Sequence, residues 1–170
     1  MVTIKIKGQG DTMLKNILKS SDCSACKICC VFDKDDIWEI PVIDGERKKR
    51  IEERFPQSKF ERRGDGWVFA MGEEKDGLFT CPALDPNKGC TLGEEKPFDC
   101  MIWPYRIMEF GGKRVISIAA LCPSMYKKPL SELCGELENG LGEKIFAFAK
   151  DHPDIVKPYE KGYPILMVEE

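Results

Sequence analysis

Apolar residues recur along this chain at two spacings, and the two alternate from one segment to the next. Val2, Ile4 and Ile6 are separated by polar residues and form a period-two strand face. Asp11 or Thr12 is placed to cap a short helix running to Lys19, with Leu14, Ile17 and Leu18 on its apolar side. Residues 37–43 are almost wholly apolar, and 46–55 are helical by composition. Residues 59–71, broken at Gly64-Asp-Gly66, read as a hairpin. A clearer hairpin joins 105–110 to 113–119 through Gly111-Gly112. Residues 131–150 then place Leu133, Leu137, Leu141, Ile145 and Phe148 in one stripe of a long helix. The expected fold class is α+β, a single compact domain over residues 1–170 with short hairpins, a long C-terminal helix and a cysteine-rich metal-binding loop region.

One stretch follows neither spacing. Residues 77–104 are rich in Gly, Pro and Asp and carry Cys81, Cys90 and Cys100. Such a loop is expected to have little core of its own, so a metal clamp is the natural means of ordering it. The clamp has an obvious second half in Cys23-Ser-Ala-Cys26-Lys-Ile-Cys29-Cys30, a C-x-x-C-x-x-C-C run. Thiolates are soft, strongly donating ligands, and closely spaced ones close on zinc or on an iron–sulfur cluster. If residues 23–30 are helical, steps of about 100° bring the four sulfurs within roughly a 120° arc. A ferredoxin-like loop would gather them equally well. With Cys122, the candidate metal ligands are Cys23, Cys26, Cys29, Cys30, Cys81, Cys90, Cys100 and Cys122. Whether they serve one centre or two is left open by the adjacency of Cys29 and Cys30.

Residue chemistry ranks an iron–sulfur centre ahead of zinc. Zinc ribbons use paired knuckles or Cys/His mixtures, whereas Cys81, Cys90 and Cys100 stand nine and ten residues apart and the one histidine, His152, is remote. Cys81-Pro82 and Cys122-Pro123 echo the Cys-Pro ending of bacterial ferredoxin runs. Cys134 falls beside Leu133 on the long helix and reads as a small core hydrophobe. His152, before Pro153, reads as a helix end, Trp38 and Trp67 as core, and Trp103 as core or a shield for the centre.

Composition narrows the partners. Twenty-six Lys and Arg are interspersed with 29 Asp and Glu for a net charge of -3, which implies neither nucleic acid nor an anionic membrane. Arg47-Lys-Lys-Arg50 lies among glutamates and reads as a solvated helix face. The N-terminus lacks the apolar core of a secretory signal, and no apolar run of about 18 residues occurs, so a cytoplasmic protein is expected. Nine cysteines are an odd number, and in a reducing compartment metal ligation is expected over disulfides.

The cysteine head, followed by Cys90, Lys96-Pro-Phe-Asp-Cys100 and Trp103-Pro104, resembles the YkgJ-type cysteine-cluster family of zinc- or iron-chelating domains, named for its C-x-x-C-x-x-C-C motif. The likeness spans residues 23 to about 123; Lys96-Pro97 and Trp103-Pro104 stand where the family shows Arg-Pro and Phe-Pro. It implies metal binding and, through the family's similarity to flagellin lysine N-methylases, an iron–sulfur centre serving methyl transfer from S-adenosylmethionine. The glycines do not add to that implication, since Gly8-Gln-Gly10 and Gly111-Gly112 read as turns. Three roles are expected: a cluster protein for electron transfer, metal handling or maturation of a protein partner; a small lysine methyltransferase; or a structural zinc module at a protein interface.

Overall fold

The computed structural model describes residues 13, 14, 16–33, 36–72 and 74–170. The strand expected at residues 2–6, the turn at Gly8 to Gly10 and the cap at Asp11 or Thr12 lie outside them. Leu14, Ile17 and Leu18 are buried as anticipated, but the described residues between 13 and 18 form turns rather than a helix, with the Leu14 carbonyl accepting from both Ile17 and Leu18.

The first helix, α1, spans Ser20–Cys26 and ends inside the cysteine head. Lys27 takes the left-handed conformation (φ 57°, ψ 4°), its N–H bonding back to the Cys23 carbonyl at 3.0 Å, which stops the helix as a C-cap does. A 3-10 turn over Ile28–Cys30 then leads into strand β1, Val31–Asp33. Of the two arrangements the sequence left open, one helical face for all four sulfurs is excluded by this bend between Cys26 and Cys29.

Helix α2, Gly45–Arg54, opens on Asp44, whose carboxylate accepts from the Arg47 N–H at 2.8 Å. The first hairpin pairs β2, Phe60–Arg63, with β3, Gly66–Phe69, about the left-handed Gly64. Strands β4, Glu74–Lys75, and β5, Leu78–Thr80, join β1 in a three-stranded sheet of order β1-β5-β4. A small hairpin, β6 (Leu84–Asp85) with β7 (Gly89–Cys90), is followed by a 3-10 turn at Gly93–Glu95 and helix α3, Phe98–Ile102.

The main sheet is built on the predicted second hairpin. Strands β8, Tyr105–Phe110, and β9, Lys113–Ile118, pair antiparallel through Gly111-Gly112, both at positive φ, and Gly111-Gly112 is thus a turn. Strand β10, Lys157–Pro158, lies parallel to β8, and β11, Ile165–Val168, antiparallel to β9, giving the order β10-β8-β9-β11. The C-terminal helical region runs from Leu130 to Asp151 as α4, Leu130–Glu136, and α5, Gly142–Asp151. Between them Asn139 and Gly140 leave helical geometry, Gly140 at φ 101°, so the predicted helix is kinked near its middle. Its stripe holds: Leu133, Leu137, Leu141 and Ile145 are buried, and Phe148, half-buried, stacks on Phe98 with ring centroids 3.8 Å apart. His152 closes α5 through its N–H to the Phe148 carbonyl.

Two smaller apolar clusters flank this core: Ile43, Ile51, Phe69, Ala83 and Leu92 form one, and Phe32, Ile40 and Val68 the other. Ala83 and Leu92 belong to the loop expected to have little core of its own. It is pinned from α2 as well, because Arg47 donates to the Glu94 and Lys96 carbonyls and Arg50 Nε meets Glu95 Oε2 at 2.9 Å. Arg47 and Arg50 of the basic run thus fasten the cysteine loop, while Lys49 is exposed on the helix. Among the described residues no helix is long and apolar enough to cross a membrane.

Candidate metal centre

Main-chain bonds bring the two halves of the cysteine set together. Pairing of β1 with β5 sets Val31 opposite Thr80, and one step further the Cys81 N–H donates to the Cys30 carbonyl at 2.8 Å. The β6–β7 turn delivers Cys90, with Gly89 at φ 81° closely opposed to the α1 backbone: a Cβ on Gly89 would stand 3.3 Å from the Ser24 Cα. Helix α3 contributes Cys100.

The result is a cavity of about 350 Å³ lined by Cys23, Cys29, Cys30, Cys81, Cys90 and Cys100. A much smaller cleft adjoining it is lined by Cys23, Cys26, Cys29 and Cys122. Cys23 and Cys29 face both, so all eight predicted ligands fall around two adjoining spaces, while the half-buried Cys134 lines neither. All nine cysteines are free thiols. Among the described residues, no three His, Cys, Asp or Glu side chains converge closely enough to hold one metal ion. The thiols surround a space rather than a point.

Their titration follows from this setting. A hydrogen bond with Cys30, then burial, pushes the Cys29 thiol far up. Burial raises Cys23 and Cys81 to about 11 each, and raises Cys100 and Cys122 as well, with neighbouring thiols adding to the effect. Near neutral pH these groups are thiols, the opposite of the depressed values that mark nucleophilic cysteines. A metal cation held by these residues would supply the missing positive charge and favour the thiolates.

One wall of the larger cavity is a buried charged network that spacing did not reveal. Arg106, on β8, is 3% exposed; its guanidinium meets Glu39 Oε2 at 2.9 Å, donates to the Asp99 and Tyr105 carbonyls, and lies 4.2 Å from the centre of the Trp103 ring. The Tyr163 hydroxyl donates to the other Glu39 oxygen at 2.8 Å. The Asp99 carboxylate accepts from the Val42 N–H and faces Lys157 Nζ at 3.5 Å. Arg106, Glu39 and Trp103 all line the cavity, as do Lys27, Lys88 and Lys96. Arg106 sits between Tyr105 and Ile107, where strand alternation signals a solvent-facing position. Both faces of β8 are covered at that end, so the alternation misleads.

Comparison with known proteins adds no relative: no family model, no curated protein and no solved structure matches this chain.

Proposed function

We propose that this chain is a cysteine-ligated metal protein whose larger cavity takes an iron–sulfur cluster, serving electron transfer or metal handling with a protein partner. The observation carrying this reading is the spread of six thiols from separate segments around one space of about 350 Å³. Tetrahedral zinc with bonds of about 2.3 Å draws its sulfurs to ~3.8 Å of one another. Here no trio converges to that degree, whereas a cluster interposes its own iron and sulfide between the thiolates. Cys30, Cys81, Cys90 and Cys100, with Cys29 or Cys23, are the residues that would hold it. Bound there it would supply reversible one-electron transfer.

The protein surroundings suit that guest. Trp103, 4% exposed, keeps water from one side, and Arg106 with the three lysines offsets the negative charge of a thiolate-bound cluster. The resemblance of the cysteine head and the Cys100-x-x-Trp103-Pro104 segment to the YkgJ-type family supports the same reading.

The test is anaerobic purification and reconstitution, with iron, acid-labile sulfide and zinc measured per chain. Iron and sulfide in equal amounts with a brown chromophore are expected. Stoichiometric zinc without sulfide would replace the proposal with a structural zinc module.

A further inference from the structure

Among the described residues, seven large apolar side chains stand largely exposed, and three of them flank the smaller thiol cleft. Ile28, 44% exposed, lies between Cys26 and Cys29 and lines the cleft itself. Leu121 and Tyr126, 50% and 67% exposed, adjoin its other wall: Leu121 precedes Cys122, and the Tyr126 N–H donates to the Cys122 carbonyl at 3.3 Å. That segment is apolar on both sides, for Cys122 and Met125 turn into the core while Leu121 and Tyr126 stay out. The inner pair completes the core; the outer pair meets solvent, and a bare apolar patch holding a tyrosine has the composition of a protein-docking surface. Charge around it runs against that of the whole molecule. Residues 19–30 and 120–130, which supply most of the cleft's lining, carry Lys19, Lys27, Lys127 and Lys128 against the single carboxylate of Asp22, in a chain of net charge -3. Lys128 pairs with Glu132 at 2.7 Å, whereas Lys127 beside it is exposed.

We infer that this face docks a one-electron carrier protein whose contact surface is apolar at its centre and ringed by carboxylates, and that electrons reach the thiol cavity through it. The inference rests on the cluster reading above. Cys23, Lys27, Cys29 and Trp103 line both spaces, so a partner seated over the cleft is separated from a guest in the cavity by the side chains the two spaces share. Charge selects the partner. A lysine rim attracts carboxylates and repels a basic carrier, and such steering suits a brief encounter in which speed of arrival counts for more than tightness. The small apolar patch is in keeping with the limited interfaces of transient redox pairs. In the step itself the carrier is oxidised by one electron and the centre reduced by one, with no covalent bond formed or broken.

The experiment uses the full chain reconstituted anaerobically with iron and sulfide, an acidic plant-type [2Fe–2S] ferredoxin as the probe, and methyl viologen as a small carrier that needs no docking face. Electron exchange is followed by stopped flow in whichever direction is downhill, and iron and sulfide are measured on every variant. Exchange with ferredoxin is expected to slow as salt rises, to slow about tenfold in Lys127→Glu and to slow several-fold in Tyr126→Ser, with no slowing toward viologen in either variant. Val168→Ser and Lys113→Glu alter exposed residues on the main sheet and are expected to slow neither reaction. Ferredoxin exchange that is absent, independent of salt, or equal in Lys127→Glu, Tyr126→Ser and the unaltered protein overturns the docking face and leaves the cluster reading standing. Loaded protein that sediments as a dimer and becomes monomeric in Tyr126→Ser would assign the face to a second copy and overturn it likewise. Unaltered protein that takes up no iron and sulfide overturns both.

Discussion

Cys100 and Cys134 separate ligand chemistry from packing, because both are free thiols on helices but only Cys100 lines the thiol cavity. Cys100→Ala removes a thiolate from that cavity and should lower metal bound per chain after identical anaerobic reconstitution. Cys134→Ala should keep full metal content and cost about 1 kcal/mol on denaturant unfolding. The raised thiols make a second prediction. Cys23 and Cys81 titrate near 9.0 in the unfolded chain and near 11 in the folded one, so between those values the native state holds more protons. Apoprotein stability is then fully present below about pH 9 and falls as pH rises toward 11. Metal reverses the sign, since ligation needs the thiolates and strengthens as pH rises. Urea midpoints measured across that range, with chelator and then with metal, check both slopes, and Cys81→Ala should flatten the first.

The cysteine head and the cysteine loop meet where α1 packs against β7, and Gly89 is the contact. Its φ of 81° disfavours any L side chain, and an added Cβ would lie 3.2 Å from the Ser24 Cβ. Gly89→Ala should therefore destabilise the fold by about 1–2 kcal/mol and weaken metal binding, though it touches no thiol; thermal unfolding and metal titration of the same variant measure the two effects. Elements with a strong local signal were legible in the sequence. The turns at Gly64-Asp-Gly66 and Gly111-Gly112 and the apolar stripe of α4 and α5 stand as read, whereas the Asp44 cap of α2 appears only in the structure. Legibility ended where the apolar stripe outweighed a local break. Nothing in Lys27 announces a left-handed residue that stops α1, and Asn139-Gly140, a local turn signal, breaks an otherwise continuous stripe.

At the scale of the whole molecule, the cysteine spacing named the set of candidate ligands but not its surroundings. Arg106, Glu39, Asp99 and Lys157 come from distant parts of the chain, and each looks locally like an ordinary surface charge. Their burial depends on sheet order and on Phe98, Trp103 and Tyr163 covering them, which no single segment encodes. The bond from the Cys81 N–H to the Cys30 carbonyl has a further bearing on how tightly a guest is held. A site assembled by its metal must meet the entropy of closing the chain between ligands, and for the loop of roughly 50 residues from Cys30 to Cys81 the length-dependent part is about 3.5 kcal/mol. In this chain the β1–β5 ladder has already closed that loop, so binding starts from a pre-formed half. Phe32, 2% exposed in β1, anchors the ladder. Phe32→Ala should loosen it and lower metal affinity by up to the order of 10²-fold with all eight candidate ligands intact, as competition against a calibrated chelator would reveal.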